Sequence, residues 1–213
     1  MKKRKELTLS LSCFLLAFLC SMIWLRQREE NLAEQISPKI LRFHVLANSN
    51  TRQDQELKMK VKSFLLEELS KTSINSKEDF VNYIQEQKEE LASSAESYMR
   101  SLGYPYKAQI EVNPCYFPTK SYGDLVLPCG TYDAVEIQIG EGRGRNWWCV
   151  LYPRLCFVDV SHAVVPDSSR AVLQDLLTPE QYEALWDRKE VTFRPRFLLP
   201  ELATGLIAPQ TEY

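Results

Sequence analysis

The sequence predicts one α+β domain, with a mainly antiparallel sheet packed against helices and an N-terminal membrane or signal helix in front of it. Three observations support this prediction. An apolar stretch follows a basic cluster at the N-terminus, apolar residues recur at helical spacing after residue 51, and they alternate with polar residues after residue 106. The order of one strand, two helices, a strand cluster and further helix is typical of the α+β class.

Length and composition set the first limits. A chain of 213 residues suits one domain, or at most two. Its 45% apolar and 25% charged residues are close to ordinary globular usage. The net charge of −2 provides no global basic field, so we expect no nucleic-acid partner.

The N-terminus carries the pattern of an export signal. Lys2, Lys3, Arg4 and Lys5 precede a stretch from Leu7 to Leu25 that only Thr8 and three serines interrupt. This length is near the ~20 residues that span a bilayer, and the positive-inside rule places the rest of the chain outside the cytoplasm. The stretch has no clear Ala-x-Ala site, so cleavage and retention as an anchor both stay open.

The predicted organisation has four parts. Residues 1–28 form the signal peptide or signal-anchor helix, and residues 29–39 form a polar stalk or leading helix. An extracytoplasmic α+β domain covers residues 40–200, and residues 201–213 form a tail.

The first half of the domain predicts a strand and two helices. Apolar and polar residues alternate from Leu41 to Val45, as in a half-buried strand. Thr51 with Asp54, and Ser76 with Asp79, resemble helix N-caps. The first helix has an apolar stripe, with Lys58, Lys60 and Lys62 off it, and the second runs toward Gly103. The two stripes consist of Leu57, Val61, Phe64, Leu65 and Leu69, and of Phe80, Ile84, Leu91, Ala95 and Met99.

The second half predicts strands, then short helices. Period-two alternation covers residues 106–112 and 135–139, and a third strand covers residues 147–152. The glycine-rich segment 140–145 is predicted to be a flexible turn between the last two of these strands.

Toward the C-terminus, a short helix is expected over residues 172–177. Thr178 caps a further helix that begins at Pro179 and ends near Trp186. Residues 191–194 are predicted to form a last strand.

The cysteines of the domain suggest disulfides, because exported domains are oxidised. Cys115 with Cys129 and Cys149 with Cys156 is the preferred pairing, since each pair brackets a plausible turn, although four cysteines allow three connectivities. Free buried thiols and a zinc site are the alternatives. No Cys-x-x-Cys occurs and the two histidines are far apart in sequence, so we expect no metal and no cofactor.

No catalytic set is recognisable, so we expect no enzyme. His44 and His162 are the only histidines. His162 follows Asp159 and Ser161, but triad members seldom come from residues so close in sequence. The motifs of serine hydrolases, zinc proteases and phosphate-binding loops are absent.

Two sequence blocks resemble the stage II sporulation protein R family. The first is LRFHVLANS at residues 41–49 with its continuation to Leu69, and the second is GEGRGRNWWCVLYPRLCFVD at residues 140–159. The resemblance covers roughly residues 36–200. It implies a signal that is made in the forespore and exported to the space between the forespore and mother-cell membranes. There it activates a membrane-bound receptor aspartic protease of the SpoIIGA type, which processes a pro-sigma factor of the pro-sigma-E type.

The resemblance and the residue chemistry together suggest where the receptor binds. Arg and Trp dominate many interfaces, and adjacent Trp147 and Trp148 should face opposite sides of a strand. One is expected in the core, whereas the other is either available to a partner or a sugar ring, or covered by a helix. One predicted patch consists of Arg143, Arg145, Asn146 and one of Trp147 and Trp148. The second candidate patch consists of Arg42, His44 and Asn48. A peptidoglycan- or sugar-binding module and an exported hydrolase are the alternative functions.

Overall fold

A computed structural model of the chain describes residues 2–72, 74, 76–156, 165 and 167–186. Its helices are α1 (Lys2–Ile36), α2 (Arg52–Ser70), α3 (Lys77–Ser101), α4 (Asp167–Leu176) and α5 (Pro179–Trp186). Its strands are β1 (Leu41–Leu46), β2 (Ala108–Phe117), β3 (Lys120–Tyr122), β4 (Leu125–Leu127), β5 (Gly130–Ile139) and β6 (Asn146–Tyr152). The predicted α+β class, with a mainly antiparallel sheet packed against helices, is confirmed.

The main sheet has the strand order β2-β5-β1-β6. Strand β1 runs parallel to β5 and antiparallel to β6, and β2 runs antiparallel to β5. Strands β3 and β4 form a separate two-stranded sheet, which the sequence reasoning missed. The predicted turn between β5 and β6 is therefore not a hairpin turn, because β1 lies between these two strands.

Both faces of the main sheet are buried. On the face that we call the α2–α3 face, apolar side chains of all four strands pack with the stripes of these two helices, among them Phe43, Ile110, Ile137 and Leu151. The other face, the α1 face, packs with the end of α1, with α4 and α5 and with the small sheet, through residues such as Ala33, Phe117, Val150 and Leu185. Because successive side chains of a strand point to opposite faces, the strands contribute to two separate hydrophobic cores.

The predicted N-terminal caps of α2, α3 and α5 are confirmed. The side chain of Thr51 accepts a hydrogen bond from the backbone N–H of Asp54, and Ser76 does the same for Asp79. Thr178 begins α5 in the same way, because its side chain accepts from the N–H of Gln181 at 3.3 Å. Both predicted stripes are buried except Phe64, which is half-buried.

Lys58 corrects the predicted phase of α2. It was expected off the apolar stripe, but it is only 5% exposed. Its Nζ donates hydrogen bonds to Gln55 Oε1 at 2.8 Å and to the backbone oxygen of Arg145 at 3.0 Å. Lys58 is adjacent to Leu57 on the edge of the stripe, and the segment that follows β5 covers it.

Helix α1 corrects the predicted stalk. Residues 29–36 continue the helix, and Ala33 and Ile36 are completely buried against the domain. Ala33 packs so closely on Gly130 that a Cβ at Gly130 would lie 2.4 Å from the Cβ of Ala33. Tyr116 Oη also accepts a hydrogen bond from Arg26 at 3.1 Å. The segment is therefore helical, as the alternative of a leading helix had predicted. It packs on the domain instead of forming a separate spacer.

The apolar part of α1 fits a signal sequence or a membrane anchor. Within the described residues, one helix is long and apolar enough to cross a membrane, and its most apolar window has a mean hydropathy of 2.1 and no buried residues. Phe14 and Trp24, for example, are 72% and 63% exposed. The predicted strand at 191–194, His162 and the tail 201–213 lie outside the described residues.

Candidate functional site

Residues 140–145 cross over the end of β1, and we call them the crossing loop. Strands β1 and β5 are parallel and so end at the same edge of the sheet, where the chain must pass β1 to reach β6. The backbone N–H groups of the loop are bound by the segment after β1. Gly144 donates to Ala47 O at 2.8 Å, Arg143 to Asn48 O at 3.1 Å and Arg145 to Asn50 Oδ1 at 2.8 Å.

The glycines of the loop allow this close approach. A Cβ at Gly144 would lie 2.3 Å from the backbone oxygen of Ser49, and a Cβ at Gly140 would lie 2.4 Å from Asn48 Oδ1. Gly140 also has φ +58°, a conformation that glycine adopts at little cost. The glycines therefore allow a crossing that backbone hydrogen bonds fix in place. The sequence had instead predicted a flexible hairpin tip.

Asp54 joins the segment after β1 to helix α2. Its carboxylate accepts hydrogen bonds from Asn48 Nδ2 at 2.9 Å and from Ser49 Oγ. Burial alone would raise the pKa of Asp54, but these hydrogen bonds outweigh it and hold the pKa below its ordinary value. The ionised carboxylate thus fixes the polar segment that carries the crossing loop.

Lys58, on helix α2, contacts the backbone of the crossing loop. Burial, with the nearby charge of Arg145, lowers the pKa of Lys58 from 10.5 to about 8. Its ammonium group donates to the backbone of Arg145 and has no carboxylate within ion-pair distance among the described residues. The buried ammonium group of Lys58 thus lies against the backbone of the crossing loop.

The two arginines of the loop remain accessible, as predicted. Arg145 is exposed, and Arg143 is 78% exposed in an ion pair with Glu141, whose carboxylate lies 3.1 Å from Arg143 Nη1. Exposed pairs of this kind contribute little to stability. Both side chains can therefore meet a partner without loss of the fold.

The two tryptophans face opposite sides of β6, as predicted, but both are half-buried. Trp147 packs edge-on against Phe43 with ring centroids 6.0 Å apart, and Lys62 Nζ lies 4.8 Å from its ring centroid. Trp148 stacks on His44 at 5.1 Å. Neither tryptophan is fully buried or fully exposed, because helix α2 and the α1-face core each cover one of them partly. Partial cover by a helix was one of the expected alternatives.

Arg42 is not available to a partner, which corrects its assignment to the second patch. It is fully buried, and it donates to Cys149 O and to Tyr122 Oη, each at 3.1 Å. Its guanidinium lies 4.3 Å from the ring centroid of Phe117 and 5.0 Å from that of Tyr132. Aromatic rings thus take the place of a carboxylate around this cation.

His44 is also buried, at 4% exposure, and it belongs to a group of polar side chains on the α1 face. Its Nδ1 lies 3.3 Å from Asn146 Oδ1, and its Nε2 lies 3.4 Å from Glu136 Oε2. The thiol of Cys115 donates to the same Glu136 oxygen at 3.7 Å. We call His44, Cys115 and Glu136 the α1-face cluster.

The environment of the cluster favours neutral groups. Burial, assisted by the charge of Arg42, lowers the pKa of His44 despite its contacts with Asn146 and Glu136. Burial and Glu136 raise the pKa of Cys115. The sequence reasoning missed Glu136 as a site residue, although the alternation of β5 had already separated it from Val135 and Ile137.

All six cysteines are free thiols in the structure. Cys156 hydrogen-bonds to Cys149, and burial raises the pKa of Cys156 well above its ordinary value. Cys115 lies beside Glu136, whereas Cys129 lies beside Tyr116. The two predicted disulfides stay predictions, and these contacts favour Cys149–Cys156 over Cys115–Cys129.

The two patches predicted as alternatives are neighbours in the structure. Strand β1 pairs with β6, so His44 lies opposite Trp148 and Leu46 lies opposite Asn146. Asn48 then contacts the crossing loop directly. Their exposed part consists of Arg143, Arg145 and Glu141, and the half-buried residues Asn48, Asn146, Trp147 and Trp148 border it.

Comparisons with known proteins match the same region. The model of a family described as stage II sporulation protein R matches residues 37–162, more than half of the chain. A protein of Bacillus subtilis (strain 168) named stage II sporulation protein R is 36% identical over 138 residues, which cover 64% of this chain. The matched part spans 62% of that relative's length. No solved structure matches the chain significantly.

Proposed function

Because this chain belongs to the stage II sporulation protein R family, we propose that it is an exported signal that activates a membrane-bound receptor protease during sporulation. The receptor, an aspartic protease in the mother cell, would then process a pro-sigma factor. The family name designates a sporulation protein and not an enzyme class, and we propose no catalytic role for the chain itself.

The architecture supports an extracytoplasmic domain beside a membrane. The exposed apolar side chains of α1 end at Leu25, and the same helix continues into the domain, where Ala33 and Ile36 are buried. A retained helix would therefore hold the domain close to the membrane of origin. The space between the forespore and mother-cell membranes is the compartment that this proposal requires.

One observation carries the proposed receptor-binding surface. Both sequence blocks that resemble the family meet at the crossing loop, where backbone hydrogen bonds hold the loop while Arg143 and Arg145 stay exposed. A surface whose backbone is already ordered loses little conformational freedom when it binds. Exposed arginines on such a backbone suit the recognition of acidic groups on a receptor.

Activation would follow from differential binding. A ligand shifts an equilibrium only by its difference in affinity for the two states. The crossing loop would therefore bind the active, self-associated form of the receptor more tightly than the inactive form. An anchored ligand raises its local concentration at the receptor only if it can reach across the gap, and the packed residues 29–36 leave little of α1 to act as a flexible tether.

Reconstitution in a heterologous host tests the function. The chain is co-expressed with the cognate receptor protease and its pro-sigma substrate, and processing of the substrate is measured by immunoblot. We expect processing only when all three proteins are present and the chain is exported. Absence of processing with a folded, exported chain would contradict the proposed function.

Arginine variants test the surface in the same assay. Arg143→Ala with Arg145→Ala should leave folding and export intact and reduce processing at least tenfold. The matched control is Lys71→Ala with Lys88→Ala, two cations that also form ion pairs. Lys71 is exposed directly after α2, and Lys88 is half-buried on α3. Normal processing by the folded arginine variant would remove these two residues from the receptor-binding surface.

A further inference from the structure

We propose that His44, Cys115 and Glu136 form a binding site for Zn²⁺ on the α1 face. The three residues come from the adjacent strands β1, β2 and β5. One donor atom of each, a ring nitrogen, a thiol sulfur and a carboxylate oxygen, lies within 4.8 Å of the other two. This inference does not depend on the proposed receptor.

The imidazole of His44 is already oriented as a ligand. Its Nε2 is buried and has no hydrogen-bond partner of good geometry, and it points to Glu136. Its other nitrogen, Nδ1, lies 3.3 Å from Asn146 Oδ1, which can accept a hydrogen bond only from a protonated Nδ1. Asn146 thus selects the tautomer with a free lone pair on Nε2, and the stacked ring of Trp148 holds the imidazole plane. Metal-binding histidines usually have such a second hydrogen bond.

The distances fit a tetrahedral ion after a small adjustment. With Zn–N and Zn–O near 2.0–2.1 Å and Zn–S near 2.3 Å, tetrahedral ligand atoms lie roughly 3.3–3.6 Å apart. His44 Nε2 and Cys115 Sγ lie 3.4 Å and 3.7 Å from Glu136 Oε2, so two of the three edges are close to this range. The third edge, which is at most 4.8 Å, can shorten by rotation of the Cys115 side chain.

The choice of metal follows from the donor atoms. A set of imidazole, thiolate and carboxylate suits borderline-soft Zn²⁺ better than the hard cations Mg²⁺ and Ca²⁺, which prefer oxygen ligands. On binding, the Cys115 thiol would release its proton to solvent and bind as the thiolate. Three protein ligands leave a fourth position for water.

The charge of Glu136 favours a cation at this site. Glu136 lies directly opposite Glu111 on β2, and like charges opposite one another destabilise a strand pair. Lys88 Nζ forms an ion pair with Glu111, whose carboxylate oxygen lies 3.4 Å away, and the ion pair of Lys88 does not include Glu136. Arg42, a buried cation on the α1 face, is hydrogen-bonded to Cys149 and Tyr122 instead. Zn²⁺ would compensate the carboxylate that these cations leave unpaired.

The site and a Cys115–Cys129 disulfide exclude each other. Cys115 lies beside Glu136, whereas Cys129 lies beside Tyr116, the next residue of β2. A sulfur in a disulfide could not bind the metal as a thiolate. The proposal therefore assigns Cys115 to the metal and leaves Cys129 outside the site.

Zinc binding by the full chain tests the proposal. The detergent-solubilised chain is purified with reductant, stripped with a chelator and titrated with Zn²⁺ alone against a chromophoric competitor. The variants are Cys115→Ser and Glu136→Gln, both at half-buried positions where little packing is lost. Their matched controls are Cys129→Ser and Glu86→Gln, whose carboxylate is exposed on α3. Co²⁺ replaces Zn²⁺ in a parallel titration, because a thiolate ligand gives a ligand-to-metal absorption band.

We expect one Zn²⁺ per chain, at least tenfold weaker binding in both site variants and unchanged binding in both controls. Zn²⁺ should raise the unfolding temperature of the unmodified chain but not of Cys115→Ser, whose Co²⁺ form should lack the thiolate band. A chain that retains no zinc would overturn the proposal. Zinc binding that survives Cys115→Ser, or a Cys115–Cys129 crosslink in the natively exported chain, would overturn it equally.

Discussion

The side-chain oxygen of Asn48 accepts a hydrogen bond from the backbone N–H of Glu141 at 3.0 Å. The same amide group donates to Asp54 Oδ2 at 2.9 Å. One side chain thus joins the crossing loop to the first turn of α2, across the end of β1. This arrangement explains why the two family-like sequence blocks, far apart in the chain, form one surface.

Asn48→Ala should destabilise the domain by about 1–2 kcal/mol, because it removes both hydrogen bonds and leaves the N–H of Glu141 without this partner. Chemical denaturation monitored by circular dichroism measures the effect. Asn113→Ala, at an exposed position of β2, is the control and should change stability by less than about 0.5 kcal/mol. Equal effects of the two substitutions would show that Asn48 does not hold the loop.

Gly130→Ala should destabilise the packing of α1 on the sheet by about 1–3 kcal/mol, because the new methyl group would meet the Cβ of Ala33. Ala33→Gly removes that Cβ. The double variant should therefore be less destabilised than the sum of the two single variants, although it keeps the backbone cost of a side chain at the positive φ of Gly130. Thermal unfolding of the four proteins forms a double-mutant cycle. Strict additivity would mean that Ala33 and Gly130 do not touch.

Lys58 should make stability depend on pH above neutrality. Its folded-state pKa of about 8 lies below the ordinary value of 10.5, so the unfolded chain binds more protons between these two values. Stability should therefore rise with pH across this window, whereas below about pH 8 the full cost of the buried charge remains. Urea denaturation at several pH values should show a gain on the order of 2–3 kcal/mol by about pH 10.5, relative to Lys58→Met. Parallel stability profiles would contradict the assignment.

Arg42→Ala should destabilise the domain by about 2–4 kcal/mol, since it removes buried packing against Phe117 and the hydrogen bonds to Cys149 and Tyr122. Arg143→Ala should change stability by less than about 0.5 kcal/mol, because that side chain is exposed. Denaturation midpoints distinguish the two roles. Comparable losses would mean that Arg143 also supports the fold.

Much of the local structure could be predicted from residue patterns. Helical spacing identified the stripes of α2 and α3, and Thr51, Ser76 and Thr178 identified where three helices begin. These features depend on residues a few positions apart, and local spacing controls them directly. The small sheet of β3 and β4 was missed because its strands are only three residues each, too short for a recognisable period.

The candidate site was predicted only in part. Its residues Arg143 and Arg145 were correctly expected to be exposed, because a glycine-rich polar segment between two strands belongs at the surface. Arg42 and His44 were misplaced because alternation marks them as the polar side of β1 and does not show that α1 and the small sheet cover that side. Glu136 and Cys115 lie far apart in sequence, and no spacing motif connects them.

The sequence by itself determined that the chain has an export-type apolar helix, an α+β domain and two blocks that resemble one sporulation family. These properties follow from composition, local period and motif. Only the tertiary structure decided that β1 lies between β5 and β6, that the crossing loop is tied to Asn48, and that His44 meets Cys115 and Glu136. Strand order arises from pairings between distant segments, whose free energy depends on the burial of both sheet faces together, and a local pattern does not contain that information.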